Sequence, residues 1–110
     1  MARIKEGDKL YLVTRGEVAP GYRAVQAAHA LRQFTAEFPE LDREWFERSN
    51  YIALLEVPNE YFLKELVEMA RMGDYKVAQF HEPDIGDQLT AIALEPSAKS
   101  ICKSLSLALK

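Results

Sequence analysis

The sequence predicts an α/β fold, and three stretches carry the prediction. Leu10, Tyr11, Leu12 and Val13 form an almost continuous apolar run, which suits a strand buried on both faces better than one with a wet face. Gly16 and the Pro20-Gly21 pair then break regular structure and open an alanine-rich helical pattern from Tyr22 to about Phe38. Far along the chain, Leu89 to Leu94 (LTAIAL) is a second near-continuous apolar run and reads as another central strand. In α/β proteins, sites are built where a strand end meets the start of the next helix.

With 110 residues, 48% of them hydrophobic, the chain is long enough for one compact domain with its own core and too short for two. A net charge of −3 and a pI near 5.4 give no global attraction to nucleic acid or to an anionic membrane. Any RNA contact therefore needs a local basic patch, and neither a DNA nor a membrane partner is expected. The single cysteine, Cys102, cannot form an internal disulfide, and with only two histidines beside it there is no zinc-type ligand set. The expected compartment is a reducing cytosol, and no metal or cofactor is expected. The N-terminal MARIKEGDK is charged and lacks an apolar signal core, and no run is long enough to span a bilayer.

Met1 to Asp8 reads as a loose polar lead-in. On the first helix, Ala24, Ala27, Ala28, Leu31, Phe34, Thr35 and Phe38 recur at helical spacing and predict the stripe that packs on the sheet. Tyr22, Gln26, His29 and Gln33 line up on the opposite side, flanked by Arg23 and Arg32. That uncharged polar face is either ordinary solvated surface or functional, and its scarcity of long charged residues keeps the second reading open. Phe38-Pro39 ends the helix, and Asp42 is placed to cap a short second one through Trp45, Phe46 and Arg48, whose aromatics close an edge of the core. Tyr51 to Val57 predicts the second strand, stopped by Pro58. Asn59 caps a third helix with Phe62, Leu63, Leu66, Met69 and Ala70 inward and Gly73 as its stop. Tyr75 to Phe80 reads as the third strand. Beyond Leu94, Pro96 and Ser97 open a final helix with Ile101, Cys102 and Leu105 inward, and SLSLALK runs out as an extended tail.

Two segments are candidate site walls. One is the loop from Arg15 to Gly21. The other, His81-Glu82-Pro83-Asp84-Ile85-Gly86-Asp87, holds three carboxylates and a histidine between two strands, where no helix or strand period accounts for them. Asp and Pro are equally at home in a plain turn, and His29 is open to a second reading as a buried helix histidine.

These stretches resemble the peptidyl-tRNA hydrolase II family. KLYLVTRGEVAPGYRAVQAAHA looks like its opening motif, with the helix signature standing as Val25-Gln26-Ala27-Ala28-His29-Ala30. Asp84-Ile85-Gly86 looks like its D-x-G segment, and Thr90-Ala91-Ile92-Ala93-Leu94-Glu95-Pro96 is similar to its last strand and turn. The resemblance runs from about Lys9 to the final helix and implies a three-layer α/β domain, a four-stranded mixed sheet with helices on both faces, found as a homodimer. The implied activity is hydrolysis of the ester between a peptide and the ribose of tRNA. Such a site needs a base or polarising group for water, donors for an oxyanion and cations for phosphates. By match to the family pattern, Asp84 takes the carboxylate role and Thr90 the hydroxyl role, Gln26 and His29 support the helix start, and Arg15 and Arg23 hold phosphate or ribose, with peptidyl-tRNA as partner.

The departures are specific. Tyr22, with Arg23 beside it, stands where the family carries a lysine, and a guanidinium is not a readily deprotonated amine. The loop before the last strand is shortened to Asp87-Gln88-Leu89, removing backbone N–H groups that suit an oxyanion, and Glu82, Asp84 and Asp87 repel phosphate. These features mark a divergent branch. Its alternative function is a catalytically silent binding module on the same fold, recognising tRNA, a protein or a small ligand.

Overall fold

The computed structural model describes residues 4–110. Strand β1 (Lys9–Arg15) pairs parallel with β2 (Tyr51–Val57) on one side and antiparallel with β4 (Gln88–Leu94) on the other. The far side of β4 pairs antiparallel with β3 (Val77–Glu82), and the short β5 (Ser106–Leu107) pairs antiparallel with the outer edge of β2. The order across the mixed sheet is thus β3-β4-β1-β2-β5. Helices α1 (Pro20–Glu37) and α2 (Pro39–Arg48) connect β1 to β2, α3 (Glu60–Met72) connects β2 to β3, and the four-residue α4 (Lys99–Cys102) follows β4.

The expected α/β class is present, but the described residues form five strands where four were expected. The fifth comes from the segment read as a free tail. Leu107 and Ser106 register with Leu55 and Glu56, and the Ala108 N–H donates to the Leu54 carbonyl at 2.9 Å, so part of an open sheet edge is paired. Two residues carry too little periodicity to announce a strand.

Alternation along β1 divides its side chains between two cores. Leu10 and Leu12 pack with Ala27, Ala30 and Phe34 of α1 and with Leu41 and Trp45 of α2, while Tyr11 and Val13 pack on the opposite face with Leu63, Leu66, Val67 and Ala70 of α3. That two-sided burial is what the unbroken apolar run of β1 required. At roughly 1.5 to 3 kcal/mol for each fully buried large apolar side chain, these two layers supply the main drive for folding.

The buried face of α1 matches the predicted stripe at Ala27 and Phe34 and departs from it at Ala24 and Ala28. Arg23, Gln26, Ala27, Ala30 and Phe34 are buried, whereas Ala24 and Ala28 are exposed. The helix is rotated because Arg23 and Gln26 find polar partners beneath it, so the predicted polar face contributes to the buried side. In α3 the inward residues are Leu63, Leu66, Val67 and Ala70, leaving Phe62 and Met69 exposed. Asn59 does cap α3, its Oδ1 accepting from the Phe62 N–H at 3.3 Å. At the other end a Cβ on Gly73 would lie 2.6 Å from the Tyr75 ring, so any larger residue there has to displace that ring.

Pro39 opens α2 three residues ahead of the predicted cap; Asp42 lies inside that helix and accepts from Thr35 Oγ1 at 3.1 Å. Trp45 is buried, with Nε1 donating to the Tyr51 carbonyl at 2.9 Å, but Phe46 is exposed and closes nothing. Of the expected lead-in, residues 1–3 lie outside the described residues, and Ile4 is buried, its N–H donating to Glu44 at 2.9 Å. The final helix breaks into a 3-10 turn (Pro96–Ala98) and α4. No helix among the described residues is long and apolar enough to cross a membrane.

Strand β3 runs to Glu82, taking His81 and Glu82 out of the predicted loop. Its pairing with β4 shifts register, Phe80 opposing Ala91 and His81 opposing Leu89, so Thr90 is passed over. The shift re-phases β4. Ala91 and Ala93 face α1, Ile92 and Leu94 face α3, and strict alternation would send Thr90 to the α3 side; Leu89 enters that core instead, and Thr90 points at α1.

Candidate functional site

The carboxyl ends of β1, β2 and β3 and the amino end of β4 come together at one end of the sheet, as the registers of Arg15 with Val57 and of Glu82 with Gln88 require. The start of α1 reaches the same end. Two polar assemblies form there.

The first lies between α1 and the β3–β4 hairpin. Gln26, 1% exposed, donates through Nε2 to Glu82 Oε1 at 2.9 Å and accepts at Oε1 from the Thr90 hydroxyl at 2.5 Å. Glu82 is buried as well, and its second oxygen accepts the Asp84 N–H at 3.2 Å, capping the 3-10 turn Pro83–Ile85. The turn then closes through Gly86 and Asp87, both left-handed, with the Asp87 N–H donating to the Glu82 carbonyl at 2.9 Å. The Tyr22 phenol lies close enough to the Glu82 and Asp84 carboxylates to feel their charge. His29, one helical turn past Gln26, is exposed and stacks flat on Phe80, with ring centroids 4.3 Å apart. It is therefore not a buried helix histidine.

These contacts set the charge states. Hydrogen bonding from Gln26, then from the Asp84 N–H, holds the Glu82 carboxyl below its ordinary value against the cost of its burial, with Tyr22 and the nearby His29 adding to the same effect. Burial first, then the nearby charges of Glu82 and Asp84, push the Tyr22 phenol upward. At neutral pH this end presents an ionised Glu82 and a protonated Tyr22. Asp84 is exposed, and its carboxylate makes no hydrogen bond among the described residues.

The second assembly holds the two arginines. Arg23 donates from Nε and Nη2 to the Val18 carbonyl at 3.1 and 2.8 Å, from Nη2 to the Gly16 carbonyl at 2.9 Å and from Nη1 to Glu56 at 3.0 Å. Arg15 donates to Glu17 at 2.7 Å, Gln88 at 2.8 Å and the Leu89 carbonyl at 3.2 Å. Both guanidiniums are buried and tie loops together. Close by, where the chain leaves β1 and β2 toward opposite faces of the sheet, Gly16, Glu17, Glu56, Pro58 and Ser106 line a cavity of about 440 Å³.

Of the residues singled out from sequence, Tyr22, Gln26, His29, Asp84 and Thr90 are thus gathered around Glu82, while Arg15 and Arg23 are directed into the protein. Glu82 was named only as part of a candidate wall, with no role, and Phe80 was missed. The available signal was their spacing from Ala78: residues 78, 80 and 82 share one face of a strand, once that strand is carried past Phe80. Among the described residues no group of three or more His, Cys, Asp or Glu is arranged to hold a metal ion, and every buried side-chain nitrogen or oxygen has a partner.

No family model matches the sequence, and no curated protein matches it. Among solved structures, the chain is similar to a protein of unknown function from Agrobacterium tumefaciens strain C58, with a TM-score of 0.65 over 90% of this chain and 96% of that one. At 13% identity the likeness shows a shared fold and nothing about activity.

Proposed function

We propose that this chain is a peptidyl-tRNA hydrolase-like enzyme that cleaves the ester between a peptide and the ribose of tRNA. The observation that carries the reading is the convergence of Tyr22, His29 and Asp84, from a helix and a distant turn, around the buried Glu82. The exposed Asp84 carboxylate is the base. It takes a proton from water as the oxygen adds to the ester carbonyl, and the proton passes to the departing ribose oxygen, giving a free peptide acid and tRNA. Tyr22, kept protonated, offers a neutral hydroxyl where the family places a lysine. His29 stands beside them as a proton donor on the exposed face of α1. Thr90 is assigned a supporting role, because its hydroxyl already donates to Gln26. Purified protein is expected to release tRNA from an N-acetyl-aminoacyl-tRNA, with release lost in Asp84→Ala.

One observation favours a second reading, a catalytically silent binding module on the same fold. Both arginines expected to grip phosphate are committed to internal partners, and the exposed groups of the turn are acidic. Binding of tRNA without turnover, or binding of a protein or small ligand alone, supports that module. The pairing of two copies implied by the resemblance belongs to the same proposal and is read by sedimentation equilibrium.

A further inference from the structure

We propose that Glu82 is the positioning residue of this site, a single carboxylate that locks the first turns of α1 to the turn bearing Asp84 and so fixes Tyr22 and Asp84 relative to one another. The reaction it serves is the one proposed above, but the lock rests on geometry that does not depend on that reaction.

Two donors from two separate segments converge on its two oxygens, the Gln26 carboxamide on one at 2.9 Å and the Asp84 N–H on the other at 3.2 Å, with the Tyr22 phenol near the same carboxylate. The arrangement has one direction. Thr90 donates to Gln26 Oε1, so the Gln26 NH2 is turned toward Glu82; flipping that carboxamide would set its oxygen against the carboxylate. The Glu82 carbonyl meanwhile accepts from the Asp87 N–H, so the backbone and side chain of one residue close both ends of the turn. The titratable groups facing it are Tyr22 and His29 from α1 and Asp84 from its own turn, with Thr90 behind Gln26 on β4.

A carboxylate accepts from both of these donors, one on each oxygen. A carboxamide of the same shape has one acceptor oxygen and brings its own NH2, so Glu82→Gln either sets a donor against a donor or forces the Gln26 carboxamide to flip, with Thr90 then accepting from it and donating to the Phe80 carbonyl. This isosteric change, and not a loss of volume, is the informative one.

The test has a wild-type arm and a variant arm, both read by NMR. In the wild-type protein the Gln26 side-chain NH2 and the Asp84 amide are expected to shift with pH at one shared midpoint, that of the Glu82 carboxyl; unrelated midpoints, or no movement, overturn the proposal. In Glu82→Gln the Asp84 amide is expected to exchange its hydrogen about tenfold faster or more, and unchanged protection overturns it. If the wild-type enzyme turns over peptidyl-tRNA, Glu82→Gln is expected to lower kcat about a hundredfold through misplacement of Asp84 while KM stays within about twofold; an unaltered kcat overturns the role. Should the wild-type protein show no turnover, the proposed reaction fails and the two NMR readouts still decide the place of Glu82. Should the variant not fold, the wild-type titration decides it.

Discussion

At the residue scale, Arg23 separates a structural guanidinium from a nucleic-acid contact. All three of its nitrogens donate to the protein, so Arg23→Lys, which cannot reproduce that fork, is expected to lower stability by about 2 kcal/mol in urea unfolding. Where tRNA binding is measurable, its salt dependence is expected not to change; a slope shallower by about one contact would put Arg23 on phosphate instead. Glu82 makes a pH prediction whose sign follows from its lowered carboxyl. A carboxylate that titrates lower in the folded than in the unfolded chain contributes stability above its ordinary value of 4.5, and that contribution disappears as pH falls through the folded value. Glu82→Gln is therefore expected to flatten the acid limb of a stability–pH profile below about pH 4.5, whereas an acid limb parallel to that of the wild type would show that Glu82 is not held ionised. Thr90→Val keeps the shape of the side chain and leaves the buried Gln26 oxygen without its donor, an expected loss of about 1 to 3 kcal/mol by the same unfolding measurement.

At the scale of elements, the rotation of α1 about its axis decides what the site can contain. Apolar periodicity alone points Ala24, Ala27, Ala28 and Phe34 at the sheet; Ala27 and Phe34 do lie there, but Arg23, Gln26 and Ala30 take the places of Ala24 and Ala28. Ala30→Lys is expected to cost about 3 kcal/mol or more and Ala28→Lys less than about 0.5 kcal/mol in thermal or urea unfolding; the reverse ranking would restore the predicted stripe. The sequence made β1, β2, β4 and the Asn59 cap of α3 legible, because two-sided burial and side-chain capping leave local marks in residue type. It made the α1 face legible only in part. Small alanines fit either side of a helix, and a buried glutamine announces itself only through Glu82 and Thr90, 56 and 64 residues away. The register shift at Thr90 was unreadable for the same reason, since one residue of slippage inside an unbroken apolar run leaves the pattern unchanged. Asp84 was singled out by its likeness to a family motif and Tyr22 as a departure from one, while Glu82, two residues from Asp84, was named in the candidate wall but given no role.

At the scale of the molecule, the mixed sheet brings strand ends separated by most of the chain to one edge, and α1 and α3 leave that edge on opposite faces. The carboxylates and the Tyr22 hydroxyl gather on the α1 side, and the arginines brace the loops around them. The cations are thereby internal, so the hydrolase account relies on Asp84, His29 and Tyr22 and asks little of phosphate recognition. Its central claim is that this end of the sheet performs ester hydrolysis through Asp84. The most direct measurement is single-turnover release of tRNA from N-acetyl-aminoacyl-tRNA by wild-type and Asp84→Ala proteins of matched thermal stability. The account predicts release by the wild type and a loss of about a hundredfold or more in the variant; no release above buffer at high protein concentration, or equal release by both, would contradict it.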